Sequence, residues 1–209
     1  MSFVHRFKKI LRELFFKNPF PREKFRYFHR APLHREPWIF SLFDYRQREV
    51  RAMIRYLKNH QDGEIAQIIA EKMHEEILSH LAEKRSLGYF QEILIIPVPL
   101  SRERMAQRGF NQVGKIAKNL THLLGGAYTP QVIKKIRKTR KQALIQKRSE
   151  RFQNVQNVYA IPQTKTPLLQ GRDIIIIDDL STTGATLLEM RKVLKKAGAR
   201  EIIAITIAH

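Results

Sequence analysis

The stretch Ile174-Ile175-Ile176-Ile177-Asp178-Asp179-Leu180-Ser181-Thr182-Thr183-Gly184-Ala185-Thr186 decides how this chain folds. Four consecutive isoleucines are apolar on both faces of an extended chain, the pattern of a strand buried on both sides in a parallel sheet covered by helices. Two carboxylates follow at the strand's C-terminal end. Open α/β sheets bind ligands outside those strand ends, and the Ser/Thr/Gly loop that comes next leads into a helical pattern. Its backbone N–H groups and the positive end of a helix beginning near Gly184 favour a phosphate, and the hydroxyls of Ser181, Thr182, Thr183 and Thr186 add donors. Asp178 and Asp179 cannot both approach that phosphate without repulsion. They therefore face a neutral, hydroxyl-bearing part of the same ligand, or a metal.

A sugar phosphate fits both halves. The plain alternative is an acidic turn before an ordinarily capped helix, which requires acid pair, hydroxyl loop and strand to coincide by accident. A P-loop fits worse, because no Gly-Lys-Ser/Thr precedes the helix.

The run Asp178-Asp179-x-x-Thr182-Thr183-Gly184-Ala185-Thr186 behind an all-aliphatic strand resembles, without a gap, the 5-phosphoribosyl-1-pyrophosphate (PRPP) signature of type I phosphoribosyltransferases. The resemblance implies an α/β fold with a mostly parallel, Rossmann-like sheet flanked by helices. It also implies that Asp178 and Asp179 are the catalytic acids, holding the ribose 2′- and 3′-hydroxyls. Ser181, Thr182, Thr183, Gly184, Ala185 and Thr186 would surround the 5′-phosphate.

With 209 residues the chain suffices for one α/β domain and an appendage. Its 39 Lys and Arg outnumber 19 Asp and Glu, for a formal net charge of +20, which calls for a polyanionic ligand or partner: PRPP, nucleic acid or an anionic membrane surface. The excess is patchy. Residues 1–40 carry 10 basic and 3 acidic groups, and residues 134–153 carry 9 and 1. The absence of cysteine excludes disulfides, a thiolate zinc site and a cysteine nucleophile. No apolar run approaches the roughly 20 residues of a membrane span, and no signal segment opens the chain, so a cytoplasmic location is expected.

Phe3, Phe7, Ile10, Leu11 and Leu14 recur at helical spacing opposite Arg6, Lys8, Lys9 and Arg12, which predicts a basic amphipathic helix. Such a helix lies on an anionic membrane or a partner, or packs on its own domain. Asn18 to Trp38, rich in Pro, Arg and aromatics, reads as an extended linker, so residues 1–38 form the appendage and 39–209 the domain. Phe25-Arg26-Tyr27-Phe28-His29-Arg30 either stacks on single-stranded nucleic acid or packs against a neighbouring element, the commoner fate of aromatics beside arginine. Helices are predicted around Val50 to Leu57 and over about Glu64 to Lys84; His74 and His80 in the second read as solvated. Ile93 to Pro97 is a second strand apolar on both faces, and Val132 to Ile136 another. Residues 137–154 read as a mobile basic flap that closes over an anionic ligand and excludes water.

Pro97-Val98-Pro99-Leu100 and Arg108-Gly109-Phe110-Asn111-Gln112 are similar to the ComF family of competence-associated phosphoribosyltransferase-like proteins. Arg137, Thr139, Gln142, Arg148 or Arg151, and Asn154 resemble that family's pattern in the flap. The resemblance implies pyrophosphate binding by Leu100, Ser101 and Arg102, and a flap that works through Arg137, Lys138 and Gln142. ComF proteins commonly begin with a four-cysteine zinc module; here a cysteine-free basic segment stands in its place, so no zinc is carried over. The function implied is transfer of the phosphoribosyl group of PRPP to a nitrogen acceptor. Mg²⁺ would be carried by PRPP, with no direct protein ligand. The alternative is a non-catalytic module binding PRPP or single-stranded DNA. Partners consistent with these readings are PRPP, a nucleobase acceptor, single-stranded DNA or competence proteins, and a second copy of the chain as a homodimer.

Overall fold

A computed structural model describes residues 18–85, 93–137, 139 and 147–209. The amphipathic helix expected from Phe3 to Phe16, and Lys138 and Gln142 of the flap, lie outside the described residues. In chain order the elements are a 3-10 helix over Arg22–Tyr27, β1 (Ile39–Phe43), α1 (Arg48–Asn59), α2 (Gly63–Arg85), β2 (Leu94–Pro97), α3 (Arg102–Arg108), α4 (Gln112–Leu124), β3 (Ala127–Tyr128), β4 (Lys134–Lys135), α5 (Arg148–Val155), β5 (Tyr159–Ala160), a second 3-10 helix (Gln163–Leu169), β6 (Ile174–Leu180), α6 (Ala185–Lys196) and β7 (Ile202–Ala208).

The main sheet has five parallel strands in the order β1-β7-β6-β2-β3. Its centre is β6, with Ile174 to Ile177 entirely buried. Alternation sends Ile175 and Ile177 to one face, against Val50, Met53, Ile54 and Leu57 of α1, Ile65, Ile69 and Met73 of α2, and Ile116 and Leu120 of α4. Ile174 and Ile176 go to the other face, against Leu187, Met190 and Leu194 of α6 and Val132, Ile133, Val158 and Leu169. Both faces are covered, as the unbroken isoleucine run requires. In register, Ile177 of β6 lies beside Pro97, the last residue of β2, and β6 continues to Leu180 along β7, so Asp178 and Asp179 stand just past the end of β2.

Two expectations are corrected. Asn18 to Trp38 is packed structure and not an extended linker. Phe20, Phe25 and Phe28 are buried in the core, and the Phe25, Phe28 and Phe43 rings contact one another at centroid distances of 5.1, 5.2 and 6.1 Å. The Ala31 N–H donates to the Leu42 carbonyl and the Asp44 N–H to the His29 carbonyl, so this segment covers the outer edge of β1, a position where bare backbone would invite pairing with another chain. Phe25 and Phe28 are thus committed to the interior, while Tyr27 is 70% exposed. The second correction is the strand read over Val132 to Ile136. Only Lys134 and Lys135 pair, antiparallel with Ala160 and Tyr159, in a ribbon separate from the main sheet. Val132 and Ile133 are apolar because they are buried beneath that ribbon. The flap rises from the same ribbon, and its second part is the helix α5.

Because both faces of β6 are sealed, Ile175→Ala and Ile176→Ala are each expected to destabilise the fold by about 2–5 kcal/mol. Urea unfolding of the two variants checks this; a near-neutral effect on either face would mean that face is not packed.

Candidate functional site

Parallel pairing places the end of β2 beside Ile177 of β6, the Val98 N–H donating to the Ile177 carbonyl at 2.8 Å. Beyond that point lie the acid pair on one strand and the Leu100 to Arg102 turn on the other. Asp178, Leu180, Ser181, Thr182 and Gly184 to Leu187 line a concavity of roughly 170 Å³ open to solvent.

Each acid has one carboxylate oxygen already engaged. Asp178 Oδ1 accepts the Asp179 backbone N–H at 2.8 Å. Asp179 Oδ2 accepts Gln112 Nε2 at 2.8 Å and meets Lys58 Nζ at 2.9 Å. Among the described residues no other hydrogen bond or ion pair reaches the remaining oxygens, Asp178 Oδ2 and Asp179 Oδ1. Two neighbouring acceptors of this kind suit a pair of hydroxyl donors. Burial, and next the Asp179 charge, push the Asp178 carboxyl up to about 8; the Asp179 N–H, Lys58 and Arg104 oppose the shift.

The loop after the acids is held from behind. His34 Nδ1 accepts the Glu36 N–H at 3.0 Å, which assigns the proton to Nε2, and Nε2 lies 3.0 Å from Ser181 Oγ as its donor. His209 Nδ1 donates to the Ser181 carbonyl at 2.9 Å, and the two imidazoles are 4.6 Å apart. Ser181, 3% exposed, thus spends its side chain on fixing the loop. Gly184 has φ 75°, and a Cβ there would stand 2.9 Å from His34 Cε1, so both the backbone turn and the close imidazole call for glycine. Gly184 caps α6 without a side-chain hydrogen bond. Gly184, lacking a side chain, offers no side-chain acceptor to the first N–H groups of α6. The Thr183 hydroxyl oxygen beside them is buried and without a hydrogen-bond partner. Thr182 is exposed, Thr186 half-buried and Ala185 buried. An anion at this helix end would meet the dipole, the amides and the Thr183 hydroxyl together.

On the β2 side, Ser101 is the N-cap of α3, its Oγ accepting the Arg104 N–H at 3.3 Å, and Arg102 is exposed. Asn111 caps α4 by accepting the Val113 N–H and also donates to the Val98 carbonyl at 3.1 Å, tying that helix to the β2 turn. Arg108 Nη1 donates to Gln112 Oε1 at 3.2 Å, so Arg108-Gly109-Phe110-Asn111-Gln112 ends in a relay to Asp179. The charges of Arg104 and Lys135 reach the same region. Burial first and Arg104 second lower the Lys135 ammonium, while Asp178 raises it. Arg137 bonds the Asn154 and Gln156 carbonyls across the base of the flap.

The acid pair, the hydroxyl loop and the β2 turn are thus brought together. Four participants went unread in the sequence: Lys58, Lys135, His34 and His209. Lys58 flanks the apolar stripe of α1 and looks like any solvated lysine; its role depends on which strand end α1 packs beside. His34 sits in what reads as linker. Gln112 alone carried a signal, inside its five-residue motif.

The raised Asp178 carboxyl has a consequence for stability. Its ordinary value is 3.8 and its folded value about 8, so folding favours the protonated form, and that contribution is lost as pH rises from about 4 through 8. Asp178→Asn, neutral throughout, is expected to gain about 1–3 kcal/mol over wild type at pH 9 compared with pH 5. Paired urea melts at the two pH values measure the gap, and a pH-independent gap would contradict the shift.

Comparison with known proteins agrees with this architecture. Residues 104–209 match the family described as phosphoribosyl transferase domain. The chain is 32% identical over 168 residues to the DNA utilization protein YhgH of Salmonella typhimurium, spanning 79% of this chain and 70% of that one. It is 33% identical over 108 residues to competence protein F of Haemophilus influenzae, covering 52% and 46% of the two chains. With competence protein ComFC of Streptococcus pneumoniae it shares 32% identity over 130 residues, covering 59% and 50%. A parallel sheet with an acid pair and hydroxyl loop at its C-terminal edge, joined to these matches, identifies the chain as a member of the phosphoribosyl transferase domain family, of the ComF type.

Proposed function

We propose that the protein binds PRPP and transfers its phosphoribosyl group to a nitrogen acceptor, with release of pyrophosphate. The observation that carries this reading is the division of one short loop: two carboxyl oxygens left for hydroxyl donors, then a helix end whose N-cap glycine gives it no side-chain cap, next to a buried, unpartnered Thr183 hydroxyl. A ribose 5-phosphate unit has those two ends in that order.

In the transfer, the acceptor nitrogen's lone pair forms the bond to C1′ as the bond from C1′ to the pyrophosphate oxygen breaks. The bonding electrons leave with pyrophosphate, and the nitrogen's proton passes to solvent. Positive charge develops at C1′ and the ring oxygen, where the Asp179 carboxylate stabilises it, while Asp178 beside it holds the ribose hydroxyls. Negative charge develops on the leaving group, toward the Leu100 to Arg102 turn, Arg104 and Lys135. Arg137, Lys138 and Gln142 belong to the flap that shuts water out. Among the described residues no group of three or more His, Asp or Glu side chains is arranged to cage a metal. The hard oxygen donors present fit Mg²⁺ carried in on the substrate, where the ion would supply charge neutralisation for the pyrophosphate.

A second reading is a non-catalytic module that binds PRPP or single-stranded DNA. It draws on the net charge of +20 and on the DNA utilization and competence names of the relatives. For a nucleic-acid binder alone, two carboxylates in the cleft are a cost. The chain's expected place of action is the cytoplasm; no helix of the described residues is long and apolar enough to cross a membrane.

Pyrophosphate release from PRPP and Mg²⁺ with a panel of nucleobases tests the proposal. Turnover is expected with at least one base, and Asp179→Asn should lower kcat/KM by about 10²-fold or more. PRPP binding with no turnover on any base would point to the non-catalytic module. Oligonucleotide binding that falls steeply with salt, ignores PRPP and survives Asp178→Asn would point to a DNA module.

A further inference from the structure

Lys58 lies one residue before the end of α1, whose buried face, Val50, Met53, Ile54 and Leu57, is fixed in the core. That anchoring brings the end of the helix to the C-terminal end of β6. Lys58 Nζ is 2.9 Å from Asp179 Oδ2, with the lysine side chain 29% and the aspartate 15% exposed. Gln112 Nε2 donates to the same oxygen at 2.8 Å, and Arg108 holds Gln112 in turn. Oδ2 therefore takes two donors, one from α1 and one from α4. With one oxygen clamped from two helices, the carboxylate cannot rotate freely, and Oδ1 is the atom left over. Partly exposed ion pairs contribute little to stability, so the consequence of this contact is to be sought at the ligand.

Resting on the sugar-phosphate reading above, we infer that Lys58 is a positioning residue for sugar recognition: it clamps Asp179 Oδ2 so that Oδ1 accepts a hydroxyl of the ribose diol. The contact turns a flexible carboxylate into a preorganised acceptor, which lowers the ordering cost of binding. The opposing account is that Lys58 occupies the sugar's own place and must be expelled by it. The two accounts predict opposite signs when the amine is removed.

Calorimetry on the full chain with two probes, ribose 5-phosphate and inorganic phosphate, separates them. Wild type is expected to prefer ribose 5-phosphate, and Lys58→Met to reduce that preference about tenfold while phosphate affinity changes less than about threefold. Lys58→Arg, which keeps the charge, should restore most of the preference, a rescue that a purely structural role would not produce. Should Lys58→Met fold poorly in thermal melts, Lys58→Gln is read in the same way. A preference unchanged or increased in the charge-removing variants overturns the inference and leaves the sugar-phosphate reading standing. A wild type that shows no preference for the sugar phosphate sinks that reading and the role of Lys58 with it.

Discussion

The structure depends on sealing both faces of one strand. Ile174 to Ile177 have no polar side, so β6 is stable only between two apolar layers, and the chain provides them from α1, α2 and α4 on one face and α6 with the Val132 to Leu169 region on the other. A strand enclosed in this way has only its ends left for polar chemistry. Asp178 and Asp179 stand where that enclosure stops, and the hydroxyl loop begins where the chain must turn to re-enter the outer layer as α6. Site and core are two consequences of one hydrophobic constraint.

The site is electrostatically divided. Among the described residues, Asp178 has its neighbour's amide as its one fixed donor and is pushed toward its neutral form, whereas Asp179 lies under Gln112 and Lys58. Burial and the neighbouring Asp179 charge together raise the Asp178 carboxyl. On the far side of the loop, the α6 end and Thr183 are arranged for negative charge, and Arg104 and Lys135 add to the positive field. The His34 and His209 imidazoles hold Ser181 from both sides, and at the opposite end of β6 Asp173 is paired with Arg200 at 2.8 and 2.5 Å.

Much of this was legible in the chain itself. The period-free isoleucine run, the acids after it and the glycine-bearing hydroxyl loop are contiguous, and contiguous signals survive without knowledge of the fold. Pro97 likewise marks the end of β2. The misread segments were those whose partners lie far away in sequence. Phe20, Phe25 and Phe28 are separated by arginines and prolines and show no period, so they read as linker, yet they fill the core beside Phe43 and Tyr56. Val132 and Ile133 looked like strand because burial and strand share the same composition; only pairing distinguishes them, and pairing is non-local.

From its residues alone the chain determined a buried parallel strand with an acid pair at its C-terminal end and a hydroxyl-rich loop after it, because each of these follows from side chains a few positions apart. Tertiary structure decided which carboxylate oxygens remain available, what stands behind the loop, and that a lysine 121 positions upstream of Asp179 would touch it. Those are matters of distance between elements, set by how α1 and α4 pack on the sheet, and no local pattern of charge or periodicity encodes the direction in which one side chain meets another across a fold.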